Sequence, residues 1–168
     1  ICDPACGTGG FLFLAHQYIL RTTPHLTRTQ KKRLRLETFR GADIVDENVR
    51  RCAMNLYLHG IGPTPEEPDA TVPVEKRDSL ATLPSERYSM VLANPPFGKK
   101  SSIKMQTEEG EDDEELVVVR DDFWATTKNK QLNFVQHIKS ILEINGRAAV
   151  VVPDNVLFEG GAGETEIG

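Results

Sequence analysis

Two consecutive prolines directly after a short apolar run constrain this chain most. Tyr88-Ser89-Met90-Val91-Leu92 reads as a short strand with little charge, and Ala93-Asn94-Pro95-Pro96-Phe97-Gly98 ends it abruptly. Each proline lacks a backbone donor, locks φ and pushes its predecessor toward extended geometry. Asn94 and Pro95 therefore cannot continue an interior sheet ladder, and their acceptors are free to face a pocket. The amide oxygen of Asn94 and the carbonyl of Pro95 suit an NH2 group, and Phe97 offers a flat apolar face on which a base can stack. Two acceptors and one aromatic plate fit an exocyclic amine on a planar ring. The same residues also fit a proline-terminated strand with a packing Phe and no further role.

The start of the chain supplies a second loop. Ile1-Cys2 reads as a strand end, followed by Asp3, Pro4-Ala5-Cys6, the turn Gly7-Thr8-Gly9-Gly10, and a helix with Phe11, Leu12, Leu14, Ala15, Tyr18 and Ile19 on its apolar side. Gly7 and Gly9 permit positive φ and close backbone approach. Leu12 occupies the third glycine position of the dinucleotide fingerprint, which weakens a nicotinamide reading, and no Lys follows the glycines as in a phosphate-cradling loop. An acid before the loop suits a positively charged ligand better than a pyrophosphate. A second strand, Thr38 to Ile44, ends in Asp43, where a Rossmann-like sheet holds ribose hydroxyls. Asp46 is placed to cap the next helix, which buries Val49, Cys52, Ala53 and Leu56 and ends at Gly60. A proline-rich connection, Pro63 to Pro73, leads to a weak strand near Val72–Val74 that Pro73 keeps short or at an edge. Arg77-Asp78-Ser79-Leu80 then sets another acid beside the same crevice.

Charge is uneven along the chain. Residues 1–60 carry nine Lys/Arg against five Asp/Glu, with a basic linker from Arg28 to Arg35 that reads either as a solvated loop or helix face or as a phosphate-contacting patch. Residues 61–122 hold seven Lys/Arg against fifteen Asp/Glu. The run Glu108 to Glu115 makes Lys99–Asp122 a mobile, solvated insertion rather than a core element. Beyond it, Phe134, Val135, Ile138, Ile141 and Leu142 form a helix stripe ended by Gly146. Ala148 to Val152 reads as a buried parallel strand stopped by Pro153, and Gly160 to Gly163 as a flexible loop. The alternation of strands and helices predicts an α/β fold with an open, mostly parallel, doubly wound sheet and right-handed crossovers. Ligands of such sheets bind beyond the strands' carboxyl ends, where Asp3, Asp43, Asp78 and Asn94 all fall.

At 168 residues, 39% hydrophobic and 27% charged, the chain is one domain of ordinary soluble composition, without a long apolar run for a membrane span or secretory signal. Cys2, Cys6 and Cys52 follow no metal or redox spacing and are expected as buried thiols in a reducing, cytoplasmic setting. His16, His25, His59 and His137 are scattered and expected at the surface or at helix ends. No metal is expected. The chain starts at Ile1 and stops at Gly168 inside a glycine-rich stretch, as a fragment of a longer protein would.

Taken together, these residues resemble the catalytic core of the modification (M) subunit of type I restriction–modification systems, an adenine-specific, S-adenosylmethionine-dependent DNA methyltransferase of the Rossmann-like class. Asp3 to Phe11 resembles the family's cofactor loop and Asn94-Pro95-Pro96-Phe97 its catalytic tetrapeptide. Met54 to Gly60, Asn129 to Phe134 and Val152 to Phe158 are further family-like stretches. The resemblance implies a partial catalytic domain over 1–168, with a cofactor half at about 1–87 and a target-amine half at about 88–168 that contains the acidic loop at about 99–122. It implies cofactor contacts at Asp3, Pro4, Gly7, Thr8, Gly9, Gly10, Phe11, Asp43, Ile44, Asp78, Ser79 and Asn94. Among these, Asp3 and the glycine loop meet the methionine part, Asp43 the ribose and Asp78 the adenine amine. Position 43 holds Asp where Glu is more usual in the family, and Arg77 stands where Gly is expected. Upstream helices, most of strand one and the strands after Gly168 are missing by this comparison, so the fragment alone is expected to be inactive. The implied partners are double-stranded DNA with a flipped adenine, a specificity (S) subunit and a restriction (R) subunit, with no membrane. The net charge of −5 and pI near 5.4 do not suit a domain that grips DNA unaided. Competing readings are a methyltransferase acting on RNA adenine or a protein glutamine, a cofactor-binding but inactive assembly subunit, and a nicotinamide-dependent dehydrogenase.

Overall fold

The computed structural model describes residues 1–67, 69–96 and 118–154. In chain order the elements are β1 (Cys2–Asp3), α1 (Gly10–Thr22), α2 (Arg28–Leu36), β2 (Arg40–Asp43), α3 (Asp46–Leu58), β3 (Val74–Lys76), β4 (Tyr88–Ala93), α4 (Lys130–Ile141) and β5 (Leu142–Val150). The strands form one sheet in the order β3-β2-β1-β4-β5, and every pairing is parallel. Cys2 stands opposite Arg40 on one side and Val91 on the other, so the two-residue β1 is the middle strand. The chain steps outward from β1 through β2 to β3, then returns to β4 and steps the other way to β5. Right-handed crossovers therefore put α1 and α3 on one face and α4 on the other. The gap between β1 and β4, where the direction reverses, is the natural crevice of such a sheet.

Two buried clusters match the two faces. Cys6, Leu12, Leu34, Phe39, Cys52, Leu56, Ile61 and Val74 gather α1, α2 and α3 on one side. Cys2, Tyr88, Val91, Ala93, Ile138 and Ile141 join α4 to the sheet on the other. On α1 the inward stripe is Leu12 and His16, backed by Phe13, Ala15 and Ile19, whereas Leu14 and Tyr18 point outward at 53% and 63% exposure. Residues 12, 16 and 19 share one side of a 3.6-residue helix, and 14 and 18 lie well round from it. His16 is therefore buried rather than exposed, with its ring edge-on to Phe39 at 5.7 Å.

Four further expectations change. The basic stretch is not a linker but the helix α2, started by a capping box between Thr27 and Gln30 and anchored by buried Leu34. Arg35 and Lys32 of that helix pair with Glu67, and Arg35 also donates to Gly62 O (2.6 Å), so these cations serve the fold. Val45, not Asp46, is the N-cap residue of α3. It offers no side-chain cap, and Asp46 and Glu47 instead place negative charge in the first turn, where the helix dipole favours it. Gly146 does not end α4: Ile141 is its last residue and Leu142 already belongs to β5. Leu142 pairs with Tyr88 and Arg147 with Met90, so residues 143–146 bulge from the ladder opposite Ser89. A side chain at 146 would meet the carbonyls of Glu143 (2.9 Å) and Tyr88 (3.0 Å), which is why glycine stands there. β5 is parallel as expected but largely exposed, because it is the edge strand among the described residues.

α4 carries a buried polar row, Asn133, Gln136 and His137, that straps down the irregular segment before it. Gln136 Oε1 accepts from Ala125 N (2.8 Å) and Gln136 Nε2 donates to Ala125 O (3.0 Å), so one side chain mimics a strand partner. Asn133 Nδ2 donates to Thr127 O (3.0 Å). His137, expected at the surface, is fully buried in this row. Val118 likewise packs with Leu80 and Phe134, so the end of the acidic insertion is core rather than solvated loop. Phe97, the run Glu108–Glu115, Asn155 to Phe158 and the glycines at 160–163 lie outside the described residues.

Candidate functional site

The glycine loop leaves β1 at Asp3, which is 2% exposed and accepts from Ala5 N at 3.1 Å. Burial, with a smaller push from the Asp43 charge, raises its carboxyl to about 7 even though the Ala5 N–H opposes the shift. Burial therefore holds the Asp3 carboxyl well above the usual carboxylate range. Gly7 (φ 52) and Gly9 (φ 82) make the left-handed turn that sends the backbone into α1. Gly9 is also sterically required, because a Cβ there would stand 2.7 Å from Cys52 Sγ on α3.

Asp43, at the carboxyl end of β2, clamps this loop. Its Oδ2 accepts from Gly7 N (3.0 Å), and its Oδ1 accepts from Val45 N (2.8 Å) and Asn48 Nδ2 (3.2 Å). A carboxylate has about four lone-pair sites, so about one is left beyond these three bonds to accept from a group in the cavity that Asp43 lines. Asn55 on α3 donates to Thr8 O (2.9 Å), and His59 stacks on Phe13 at 4.4 Å and 9°. Asn55 thus holds the glycine loop from α3, while His59 just beyond that helix packs on α1.

Asp78 lies just past β3, with its Oδ1 accepting from Leu80 N (2.9 Å). The adjacent Ser79 is buried and donates its hydroxyl to Pro4 O (2.6 Å), tying the Asp78 turn to the glycine loop. A cavity of about 390 Å³ opens between these turns, lined by Pro4, Ala5, Gly7, Asp43, Ile44, Val45, Asn48, Arg77, Asp78, Ser79, Leu80, Asn94, Pro96, Lys130 and Phe134. It is of small-ligand size. Of the residues singled out in sequence, Pro4, Gly7, Asp43, Ile44, Asp78, Ser79, Asn94 and Pro96 meet at this cavity, whereas Asp3, Thr8, Gly9, Gly10, Phe11 and Pro95 do not line it.

Asn94 is exposed immediately beyond β4, while Pro95 behind it is buried. Ala93 O, the last ladder acceptor before the prolines, takes Val151 N (2.9 Å). Lys130 and Phe134 also line the cavity, Phe134 being read in sequence only as part of the α4 stripe. The local signal for them is Asn129, which caps α4 by accepting from Gln131 N (3.0 Å) and Leu132 N (3.3 Å). All three cysteines are buried, and the Cys2 and Cys6 thiols are pushed up, Cys2 to about 12 by burial. Among the described residues no His, Cys, Asp and Glu cluster could hold a metal ion, and no helix is long and apolar enough to cross a membrane.

The fold is that of a Rossmann-like methyltransferase. The chain belongs to the N-6 DNA methylase family, whose model matches residues 1–167. It is 36% identical, over 169 residues, to the type I restriction enzyme EcoKI methylase subunit of Escherichia coli (strain K12), covering 96% of this chain and 28% of that protein. The crystal structure of the type I restriction enzyme EcoKI M protein is similar with a TM-score of 0.76 at 33% identity, covering 98% of this chain and 32% of that one. A modification subunit of a putative type I restriction enzyme from Vibrio vulnificus YJ016 is similar with a TM-score of 0.69 at 28% identity, covering 96% and 31%. The chain spans less than a third of the length of these relatives.

Proposed function

We propose that this chain is the catalytic core of a type I modification subunit that methylates the exocyclic amine of adenine in DNA with S-adenosylmethionine. The observation that carries this reading is that Asn94 and the glycine loop border one cavity. The residues fit the cofactor's chemistry: a buried acid, Asp3, stands behind the loop, and Asp43 and Asp78 line the cavity. Asp3 and the Gly7–Phe11 loop would hold the methionine part, Asp43 and Ile44 the ribose, and Asp78 and Ser79 the adenine. When bound, S-adenosylmethionine supplies an electrophilic methyl group on a sulfonium.

The chain's own residues act on the other reactant. An adenine amine is a poor nucleophile because its lone pair is delocalised into the ring. Asn94 Oδ1 and the Pro95 carbonyl accept its two hydrogens, favouring a tetrahedral nitrogen with an exposed lone pair. These acceptors matter most as positive charge develops on nitrogen, so catalysis comes from positioning and electrostatics. The target base must leave the duplex to reach the cavity, and Phe97 is the stacking surface for it. An S subunit supplies sequence recognition and the grip on double-stranded DNA that a chain of net charge −5 does not suit. An R subunit and a cytoplasmic setting complete the assignment.

The test is transfer of labelled methyl from S-adenosylmethionine by the full-length protein with its S subunit, offered duplex DNA, RNA or protein. Label in duplex DNA adenine is expected. Label in RNA or protein alone, or none at all, would overturn the reading.

A further inference from the structure

Residues 118–129 run up to α4 without helix or strand, yet Arg120 within them is well buried, with 6% side-chain exposure. Its Nε donates to Asp122 Oδ1 (2.9 Å) and its Nη2 to Asp122 Oδ2 (2.7 Å), a two-pronged pair that neutralises it. The remaining amine, Nη1, donates to Ser79 O (3.0 Å), more weakly to Leu80 O (3.4 Å), and faces His137 Nδ1 (3.1 Å). Arg120 Cζ stands over the Phe123 ring, 4.3 Å from its centroid. Burial, together with the neighbouring Arg120 and Arg77 charges, lowers His137 to about 3, so its Nδ1 stays an acceptor toward Arg120.

The carbonyls that Arg120 takes belong to the turn carrying Asp78, and the same Ser79 gives its hydroxyl to Pro4 O. Arg120 is thus one hydrogen bond from the turn facing the adenine end of the cavity and two from the glycine loop. We infer that Arg120 is a positioning residue for cofactor binding, setting the pose of the Asp78 turn from the far side of the insertion. The inference rests on the cofactor assignment above. It makes the segment after the insertion part of the cofactor half, although it follows the catalytic tetrapeptide in sequence.

The test uses the full-length protein, with calorimetric titration of S-adenosylmethionine and of adenosine, and steady-state methylation with the S subunit. Arg120→Met is expected to weaken both ligands about ten- to a hundredfold, the size of a lost charge-assisted hydrogen bond. It raises KM for the cofactor while kcat at saturation is kept, which a loss of folded protein does not produce. Arg120→Lys restores part of the affinity, because an ammonium reaches a carbonyl but not the whole fork. Unchanged affinity in Arg120→Met, or a fall in kcat at constant KM, overturns the inference while leaving the cofactor assignment intact. If Arg120→Met does not fold, Arg120→Lys decides: a several-fold loss supports the inference and wild-type affinity overturns it. Failure of the wild type to bind S-adenosylmethionine refutes the cofactor assignment itself, and the inference with it.

Discussion

Asp3→Asn should make the protein more stable and, in doing so, expose what the acid costs. The carboxyl titrates at about 7 in the folded chain against 3.8 as its ordinary value, chiefly because it is buried. A raised carboxyl favours the protonated form in the native state, so its stability contribution is fully present below pH 4 and is lost as pH rises through 7. At 1.36 kcal/mol per unit, the full deficit is about 4 kcal/mol above pH 7. His137 runs the other way: held near 3 instead of 6.5, it supports the fold above pH 6.5 and loses that support as pH falls. Between pH 4 and 6.5 the two slopes oppose, so the wild-type profile alone says little and the difference between variants isolates Asp3. Asn keeps the acceptor for Ala5 N and cannot ionise. Urea denaturation of both proteins should give a stability difference in favour of Asp3→Asn that grows by about 3 kcal/mol from pH 5 to pH 8. The same variant should bind S-adenosylmethionine more weakly at pH 8, having lost its anion. A pH-independent stability difference would refute the reasoning, because Asp3 would then be ionised in the native chain throughout.

Gly9→Ala should destabilise by about 2–4 kcal/mol, combining the left-handed backbone cost with overpacking against Cys52. The double variant Gly9→Ala/Cys52→Ala should recover part of this in thermal denaturation, and strict additivity would contradict the contact. Asp43→Ala removes the acceptor of Gly7, Val45 and Asn48 together, so titration should show weakened cofactor binding and hydrogen exchange should show a faster Gly7 amide. Phe97→Ala should weaken binding of a flipped base by about 1–3 kcal/mol, with partial activity kept in Phe97→Trp, both read by a fluorescent-base signal.

Sequence reading served best where local chemistry decides. The strand expected near Val72–Val74 is there as short and, among the described residues, at the sheet's edge, though it runs over Val74–Lys76 just after Pro73. β4 stops at Ala93, before Asn94-Pro95-Pro96. The acids at the ends of β1, β2 and β3 did gather along one side of the sheet. What stayed hidden was set by partners distant in sequence. A histidine at position 137 reads as polar, and only the fold brings Arg120 to it across 17 residues. Gln136 is buried because its amide satisfies both backbone groups of Ala125, an arrangement with no periodic signature. Gly146 has the look of a helix stop, but the carbonyls of Glu143 and Tyr88 that exclude a side chain there belong to a bulge between two strands. Asp43 was legible as a site acid, while its clamp on Gly7 depends on a contact 36 residues away.

The central claim is that Asn94 acts on the target amine and not merely as the end of β4. Single-turnover methylation by full-length Asn94→Ala with its S subunit, alongside cofactor titration of the same sample, tests it most directly. Methyl transfer to adenine should fall by at least about a hundredfold, the scale of losing an acceptor that acts in the transition state, while S-adenosylmethionine affinity stays within a few-fold of wild type. Transfer at the wild-type rate, with the cofactor bound as usual, would contradict the claim and leave Asn94-Pro95-Pro96 a strand terminator.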